Sequence, residues 1–112
     1  ANVTLKSLSF GGGRTRVGRD GLAAILQMLT SNQSVTRLAI HDDLSLRPND
    51  FVRIFKSLEK NATLKYLSLQ GCNGVQGEVL LQTIMETLQI NPWIEDLDLS
   101  RTPLHNSGKT QV

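Results

Sequence analysis

The sequence predicts an α/β fold in which short parallel β-strands form a concave sheet and α-helices cover the convex side. A nine-residue strand-like segment occurs four times along the 112 residues, and a helix-like apolar stripe lies between successive copies. One strand and one helix cannot bury their apolar sides alone, so successive units must stack to exclude water. The chain holds three full units and a fourth strand, or about three and a half repeats.

The repeated strand segment reads Asn-x-x-apolar-x-x-Leu-x-apolar, and its four copies align without gaps. The copies begin at Asn2, Asn32, Asn61 and Asn91, which are offset by 30, 29 and 30 residues. Each copy ends in two apolar residues separated by one residue, and this period of two predicts a short strand with one buried face. These pairs are Leu8/Phe10, Leu38/Ile40, Leu67/Leu69 and Leu97/Leu99.

Three apolar stripes at helical spacing separate the strands and predict three helices that face the core. The stripes are Leu22, Ile25, Leu26 and Leu29; Phe51, Ile54, Phe55 and Leu58; and Leu81, Ile84, Met85 and Leu88. Asp20 and Asp50 are placed to cap the first two helices, because a carboxylate can accept the free N–H groups of a first turn. The third helix is expected to begin near Gly77 and Glu78.

The repeated asparagines follow the last helical leucine by three residues at Asn32, Asn61 and Asn91. At that place an asparagine can take the left-handed conformation that ends a helix. Asn2, Asn32 and Asn61 also begin Asn-x-Ser/Thr sequences, which would suit a glycosylated protein. Asn91, however, is followed by Pro92, so a shared turn requirement explains all four copies and glycosylation explains three.

The apolar-x-x-Leu-x-Leu pattern followed by a helix, with a period near 30 residues, resembles the leucine-rich repeat of the ribonuclease-inhibitor type. The resemblance covers residues 2–104 and implies a right-handed solenoid. We therefore expect a repeat domain over residues 1–104, and a polar tail or the start of a next unit over residues 105–112.

The family carries Asn or Cys at a turn position three residues after the last apolar residue of each strand, and this sequence keeps that pattern in only one of its four units. The residues found there are Gly13, Asp43, Cys72 and Thr102. The resemblance implies a buried, inert Cys72 and looser turns in the other units. The last stretch, NPWIEDLDLSRTPLHNSGKTQV, is similar to the repeat region of the Tornado-like (Roco-like) family of plant proteins, which implies a role in signalling or development.

The stretch SFGGGRTRVGRDG, residues 9–21, is the strongest candidate for a phosphate-binding loop. Gly13 and Gly18 have the spacing of a P-loop, but Arg19 and Asp20 stand where Lys and Ser/Thr are required. The dinucleotide pattern fails too, because Arg16 occupies its third glycine position. The stretch fills the same slot as the other strand-to-helix connections, which favours a plain connector. A weak anion site at Arg14, Arg16 and Arg19 is the alternative.

Other chemistry is poorly supported by the sequence. His41 with Asp42 and Asp43 has no further ligand at metal spacing and no serine placed against it by sequence, so neither a metal nor a catalytic site is expected. In NSGKTQV, Pro103 stands where the first glycine of a P-loop belongs. We expect no cofactor. The competing function is a nucleotide-linked signalling enzyme whose GTPase-like domain lies outside this chain, as the plant family implies.

Composition restricts the partners and the compartment. The chain is 39% hydrophobic and 20% charged, which is typical of a soluble globular protein. Its net charge of +2 does not indicate a nucleic-acid partner. Its one cysteine cannot form an intramolecular disulfide and favours a reducing, cytoplasmic location. No apolar run approaches about 20 residues, so membrane insertion is not expected.

The residues that alternate with the buried strand positions should point out of the concave sheet. The candidates for partner binding among them are Arg37, His41, Tyr66, Gln70, Asp96 and Asp98. Arg and Tyr are the residue types that most often anchor interfaces, and the two aspartates suit a basic segment of a partner. The sequence therefore predicts a non-catalytic module that binds a protein, a peptide or another domain of its parent chain. The alternative is that these are only solvated strand positions.

Two further surfaces are candidates for contacts. Trp93 is expected to plug the edge of the solenoid, or else to contact a partner. The stack carries no polar capping unit, so the open edge of the first strand, around Leu5 to Phe10, is expected to promote self-association.

Overall fold

The computed structural model describes residues 6–11, 17–31 and 34–106, and within these ranges strands and helices alternate. The elements in chain order are β1 (Ser7–Gly11), α1 (Gly18–Ser31), β2 (Arg37–His41), α2 (Pro48–Leu58), β3 (Tyr66–Ser68), α3 (Glu78–Ile90), β4 (Asp96–Asp98) and α4 (Pro103–Asn106). The four-residue helix α4 is absent from the sequence prediction.

The four strands form one parallel sheet in the order β1-β2-β3-β4. Their register follows the sequence repeat, because Leu8, Leu38, Leu67 and Leu97 are partners across the sheet. The predicted α/β class and parallel sheet are confirmed. Each strand is joined to the next by a helix, which is the connection that parallel strands require.

The core lies between one face of this sheet and the helices. Leu38, Ile40 and Leu67 from the strands, and Leu69 directly after β3, belong to the same buried cluster as most of the apolar stripe of α1 and the whole stripe of α2. The α2 stripe is fully buried, as predicted, because α1 and α3 pack on its two sides. Burial of one such side chain stabilises the fold by about 1.5–3 kcal/mol. This one-sided core leaves the other face of the sheet open.

The predicted core of α3 is partly wrong. Its buried residues are Leu80, Thr83, Ile84 and Thr87, whereas Met85 and Leu88 are 48% and 37% exposed. In the described part of the chain the main helix contact of α3 is with α2, so its other side lacks a covering helix. Helical periodicity identifies an apolar stripe but does not supply the neighbour that would bury it.

The predicted left-handed helix ends at the repeated asparagines are also wrong. Asn91 follows α3 with φ −115° and Asn61 also has negative φ. Both side chains are 2% exposed. The Asn61 amide donates to the Leu29 carbonyl at 2.9 Å, and its Oδ1 accepts from the Leu64 N–H at 2.8 Å. Asn61 therefore links the start of the third unit to the end of α1 in the first unit. Asn2 and Asn32 lie outside the described residues.

Helix starts are predicted with mixed success. α3 begins at Glu78, as expected. Asp50 lies inside the first turn of α2 and not before it, but its Oδ2 accepts the N–H of the N-cap residue Arg47 at 2.9 Å, so its predicted capping role is confirmed only in part. Asp20 is wrong as a cap, because α1 begins at Gly18 and leaves Asp20 exposed inside the first turn.

The turns that follow the strands are not uniformly loosened, contrary to the expectation. Asp43 is 2% exposed, and its carboxylate accepts four hydrogen bonds, including those from the Val17 N–H at 2.7 Å and the Leu46 N–H at 3.1 Å. In the next turns Cys72 donates to the Ile40 carbonyl and Thr102 donates to the Leu99 carbonyl. Asp43 thus ties its turn to the preceding unit. Gly13 lies outside the described residues.

Candidate functional site

The open face of the sheet carries the residues that alternate with the buried leucines. Ser7, Arg37, Tyr66 and Asp96 are successive partners in the register, so they form one row across the four strands. Neighbouring strands in a sheet lie about 4.8 Å apart, which brings side chains of such a row into mutual reach. The structure therefore brings together side chains that lie about 30 residues apart in the sequence.

Arg37 and Tyr66 form the central contact of this row. The guanidinium carbon of Arg37 lies 4.5 Å from the centroid of the Tyr66 ring. Arg37 is exposed and Tyr66 is half-buried, so the pair is a cation–π contact open to solvent. The contact holds both side chains in place on a rigid strand pair, and it leaves their outer surfaces accessible.

The carboxyl ends of the strands carry a polar network. His41 Nε2 lies 2.9 Å from Ser68 Oγ, and Gln70 Nε2 donates to Ser100 Oγ at 2.9 Å. Gln70 Oε1 accepts from Arg101 at 3.2 Å. These contacts fix the orientation of His41 and Gln70, two of the predicted binding residues.

The His41–Ser68 contact corrects the expectation that no serine faces His41. The sequence register pairs His41 with Gln70, and Ser68 is the diagonal neighbour on β3; a search of diagonal as well as directly opposite positions would have found it. A histidine and a serine can act as base and nucleophile only beside donors that stabilise an oxyanion and a group that orients the histidine. No carboxylate is recorded on His41 Nδ1 among the described residues.

Charge is distributed unevenly along the open face. Arg37 gives β2 a positive charge, whereas Asp96 and Asp98 place two carboxylates on β4. Asp98 Oδ1 is held by the N–H and the hydroxyl of Ser100, at 2.9 and 2.6 Å. An open groove of about 310 Å³ runs over this face. It is lined by Arg37, His41, Tyr66, Gln70, Asp96 and Asp98 among others.

The residues of the alternative anion site are only partly described. Arg14 and Arg16 lie outside the described residues. Arg19 lies near the start of α1 and its guanidinium donates to Asp50 Oδ1 at 2.9 Å. Asp50 is buried and Arg19 is largely exposed, so this ion pair joins the first turns of α1 and α2. The charge of Arg19 is thereby partly balanced by a carboxylate.

Cys72 is buried, as the resemblance implied. Its Sγ lies 3.1 Å from the Ile40 carbonyl oxygen. Burial is the main cause that raises the pKa of the Cys72 thiol, to about 11. Nearby Asp43 and Asp42 raise that pKa further through their negative charge. The thiol is therefore neutral at physiological pH and shielded from reagents.

Asn61 cannot carry a glycan in this fold. Its Nδ2, the atom that would be glycosylated, donates to the Leu29 carbonyl and is buried. Within residues 6–11, 17–31 and 34–106 no cluster of three or more His, Cys, Asp or Glu side chains is arranged to hold a metal ion. None of the helices in these ranges is both long and apolar enough to cross a bilayer.

Comparison of the sequence with known proteins identifies the family to which the chain is related. No protein-family model matches the chain. The chain is 62% identical over 109 residues to Protein TORNADO 1 of Arabidopsis thaliana, and the match covers 97% of the chain. The chain spans only 8% of the length of that relative. The chain therefore belongs to the Tornado-like family of plant proteins, and it corresponds to one segment of that relative.

Proposed function

We propose that this chain is a non-catalytic protein-binding segment of a leucine-rich repeat solenoid of the ribonuclease-inhibitor type. The observation that carries the proposal is the row Ser7–Arg37–Tyr66–Asp96, which is in register on the open sheet face, with Arg37 stacked on Tyr66. In its parent, a Tornado-like plant protein, we propose that the segment serves signalling or development.

Equivalent contacts repeated from unit to unit support the solenoid part of the proposal. Asn61 donates to the carbonyl of Leu29, and Asn91 donates to that of Leu58 one unit later. The strands follow each other in the sheet in chain order, as expected where every unit contacts only its neighbours. Such stacking produces a continuous sheet face suited to an extended partner.

The chemistry of the open face supports binding of a polypeptide. Arg and Tyr provide large contact surfaces, and their mutual stacking reduces the conformational entropy that binding would cost. The carboxylates of Asp96 and Asp98 would favour a basic segment near β4 and increase the association rate. The partner is either a separate protein or another domain of the parent chain.

The proposed role is non-catalytic because the open face assembles binding groups without a complete reaction site. The only serine–histidine contact described, Ser68 with His41, lies on an open sheet whose backbone N–H groups serve the strand ladder. Nucleotide-dependent activity, if the parent has it, is assigned to a domain outside this chain.

A matched pair of double variants in the full-length parent protein tests the proposal. Arg37→Ala/Tyr66→Ala removes the central contact of the open face, and Arg53→Ala/Lys56→Ala removes two exposed cations from α2 on the helical side. Each tagged protein is isolated from plant tissue, and its co-purified proteins and internal cross-links are quantified by mass spectrometry. We expect the recovered amount of at least one co-purified protein, or of a set of cross-links between Lys65 and another domain, to fall about tenfold or more in the first variant alone. Equal recovery of all proteins and cross-links in both variants would refute a binding role.

A further inference from the structure

The middle of the open sheet face is lower than its two sides. Small side chains form a row across β1, β2 and β3, namely Ser9, Ala39 and Ser68. Larger side chains stand on both sides of this row: Arg37 and Tyr66 two positions earlier along the strands, and His41 and Gln70 two positions later. We call the depression between these two sides the trough. It is the groove of about 310 Å³ described above, and it runs across the strands.

The floor of the trough ends at a carboxylate on β4. Asp98 is the register partner of Ser68, so it stands where the other three strands carry small residues. Its Oδ1 is held by the N–H and the hydroxyl of Ser100. Asp96, two residues earlier on β4, is exposed and adds a second negative charge. The β4 end of the trough is therefore negative.

The β2 side of the trough carries the opposite charge. Arg37 is exposed, and within the described ranges no carboxylate forms an ion pair with it. Its guanidinium is stacked over the Tyr66 ring at 4.5 Å. A guanidinium that stacks through its flat face keeps its N–H donors at the edge, where a carboxylate can accept two of them. Arg37 thus presents an oriented cation to an incoming acidic group.

The separation of these charges restricts what can bind both. Arg37 and Asp96 lie two strands apart in one row, which corresponds to about 9.6 Å between their backbones. The Arg37 guanidinium leans over Tyr66 towards β4, which shortens the gap. An extended chain advances about 3.3 Å per residue, and a polyproline II chain about 3.1 Å. Two partner side chains that are two or three residues apart therefore match the separation.

We propose that the trough binds an extended polypeptide segment that carries an acidic side chain over Arg37 and, two or three residues away, a lysine or arginine over Asp96 and Asp98. The small residues of the floor allow the backbone of the segment to approach the sheet between the two sides. This charge pattern specifies the partner of the open face, and it rests on the binding function proposed above. A wholly basic segment would meet Arg37 with like charge, and a wholly acidic one would meet the carboxylates of β4.

Selection from a random peptide display library on the immobilised 112-residue chain tests the proposal. Sequences that bind the wild type but not Tyr66→Ala are taken as ligands of the open face. We expect them to contain an acidic and a basic residue two or three positions apart at least about threefold more often than the unselected library, as an exposed ion pair allows. Pairs of adjacent charges and pairs six positions apart should show no such enrichment.

A charge reversal and its matched control sharpen the test. Arg37→Glu leaves only negative charges around the trough, so the acidic member of the pair should disappear from the selected sequences and a second basic residue should replace it. Arg53→Glu makes the same change of net charge at an exposed position of α2 on the helical side, and it should select the wild-type sequences. Circular dichroism of each variant establishes that it is folded.

Every other result overturns the proposal. Ligands of the open face that contain only basic residues, or that show no preference for charge, would refute the charge pattern and leave the binding function intact. Retention of the acid–base pair by Arg37→Glu would show that Arg37 does not bind the acidic group. Recovery of no sequence that depends on Tyr66 would also refute the proposal, whereas the binding function is decided separately by the variants of the full-length parent.

Discussion

Asn91 donates its side-chain amide to the backbone carbonyls of Asn61 and Leu58, at 2.7 Å in each case. Two successive repeat asparagines are therefore joined directly, and the later one also satisfies the end of helix α2. Oδ1 of Asn91 accepts the Trp93 N–H at 3.0 Å, which shapes the entry into β4. One side chain thus links the end of α2 to the entry into β4.

We expect Asn91→Ala to lower the free energy of unfolding by about 2–4 kcal/mol. The substitution leaves the buried Asn61 carbonyl and the Trp93 N–H without this partner, and each such loss costs about 1–3 kcal/mol. The Leu58 carbonyl keeps the Asn61 N–H, at 3.1 Å. Urea unfolding followed by circular dichroism measures the difference.

Asn49→Ala is the matched control for the asparagine variant. Asn49 is exposed in the first turn of α2, and we expect its replacement to change stability by less than about 0.5 kcal/mol. Comparable stability of the Asn91 and Asn49 variants would mean that the buried amide contributes little to joining the units.

Asp43 should make the fold sensitive to acid. Burial by itself raises the pKa of its carboxyl, but the hydrogen bonds from Ser45, Val17 and Leu46 outweigh burial and lower the pKa below 3.8. Because the folded-state pKa is depressed, the stabilisation is present above 3.8 and is lost as the pH falls through the folded-state value. Urea unfolding at about pH 6 and about pH 3 measures that loss.

Asp43→Asn tests the assignment of this acid sensitivity. The amide keeps one acceptor oxygen but turns an N–H₂ towards the Val17 N–H, so we expect it to cost about 1–3 kcal/mol at pH near 6. The loss of unfolding free energy between about pH 6 and about pH 3 should be smaller in this variant than in the wild type. Asp20→Asn, which replaces an exposed carboxylate, should lose as much unfolding free energy between the two pH values as the wild type does. An Asp43→Asn protein as acid-sensitive as the wild type would assign the effect to other groups.

Cys72 should resist alkylation in the folded chain. With its thiol pKa raised to about 11, the thiolate fraction near pH 8 is on the order of one in a thousand, and the sulfur is buried as well. We expect iodoacetamide to leave the native chain unmodified at Cys72 and to modify it fully in urea, as read by mass spectrometry. A Leu44→Cys variant supplies an exposed thiol that should react in the native chain. Equal reaction of both thiols without urea would place Cys72 outside the core.

Much of the sheet could be predicted because it depends on pattern alone. The spacing of the repeats sets which residues lie opposite each other, and the aligned leucines Leu8, Leu38, Leu67 and Leu97 are indeed partners across the sheet. Alternation along each strand assigns one set of side chains to the core and the other to the open face. Neither inference needs any knowledge of neighbouring units.

The features that the sequence did not predict depend on the tertiary neighbours of each residue. Met85 and Leu88 have the spacing of core residues, but their burial requires a helix beyond α3. The role of Asn61 depends on its distance to the Leu29 carbonyl, which belongs to another unit. The contact between His41 and Ser68 depends on rotamers across a diagonal of the sheet. The periodicity of the sequence does not determine these distances between residues that are far apart along the chain.

Arg37 and Leu38 are adjacent on β2 but lie on opposite faces of the sheet, and this contrast provides the sharpest test of the candidate site. Arg37→Ala removes an exposed cation–π contact and should cost less than about 1 kcal/mol of unfolding free energy. Leu38→Ala empties a fully buried position and should cost about 2–5 kcal/mol. Urea unfolding of both variants provides the comparison. If Arg37→Ala were as destabilising as Leu38→Ala, Arg37 would be required for the fold, and loss of binding in its variants would not indicate an interface.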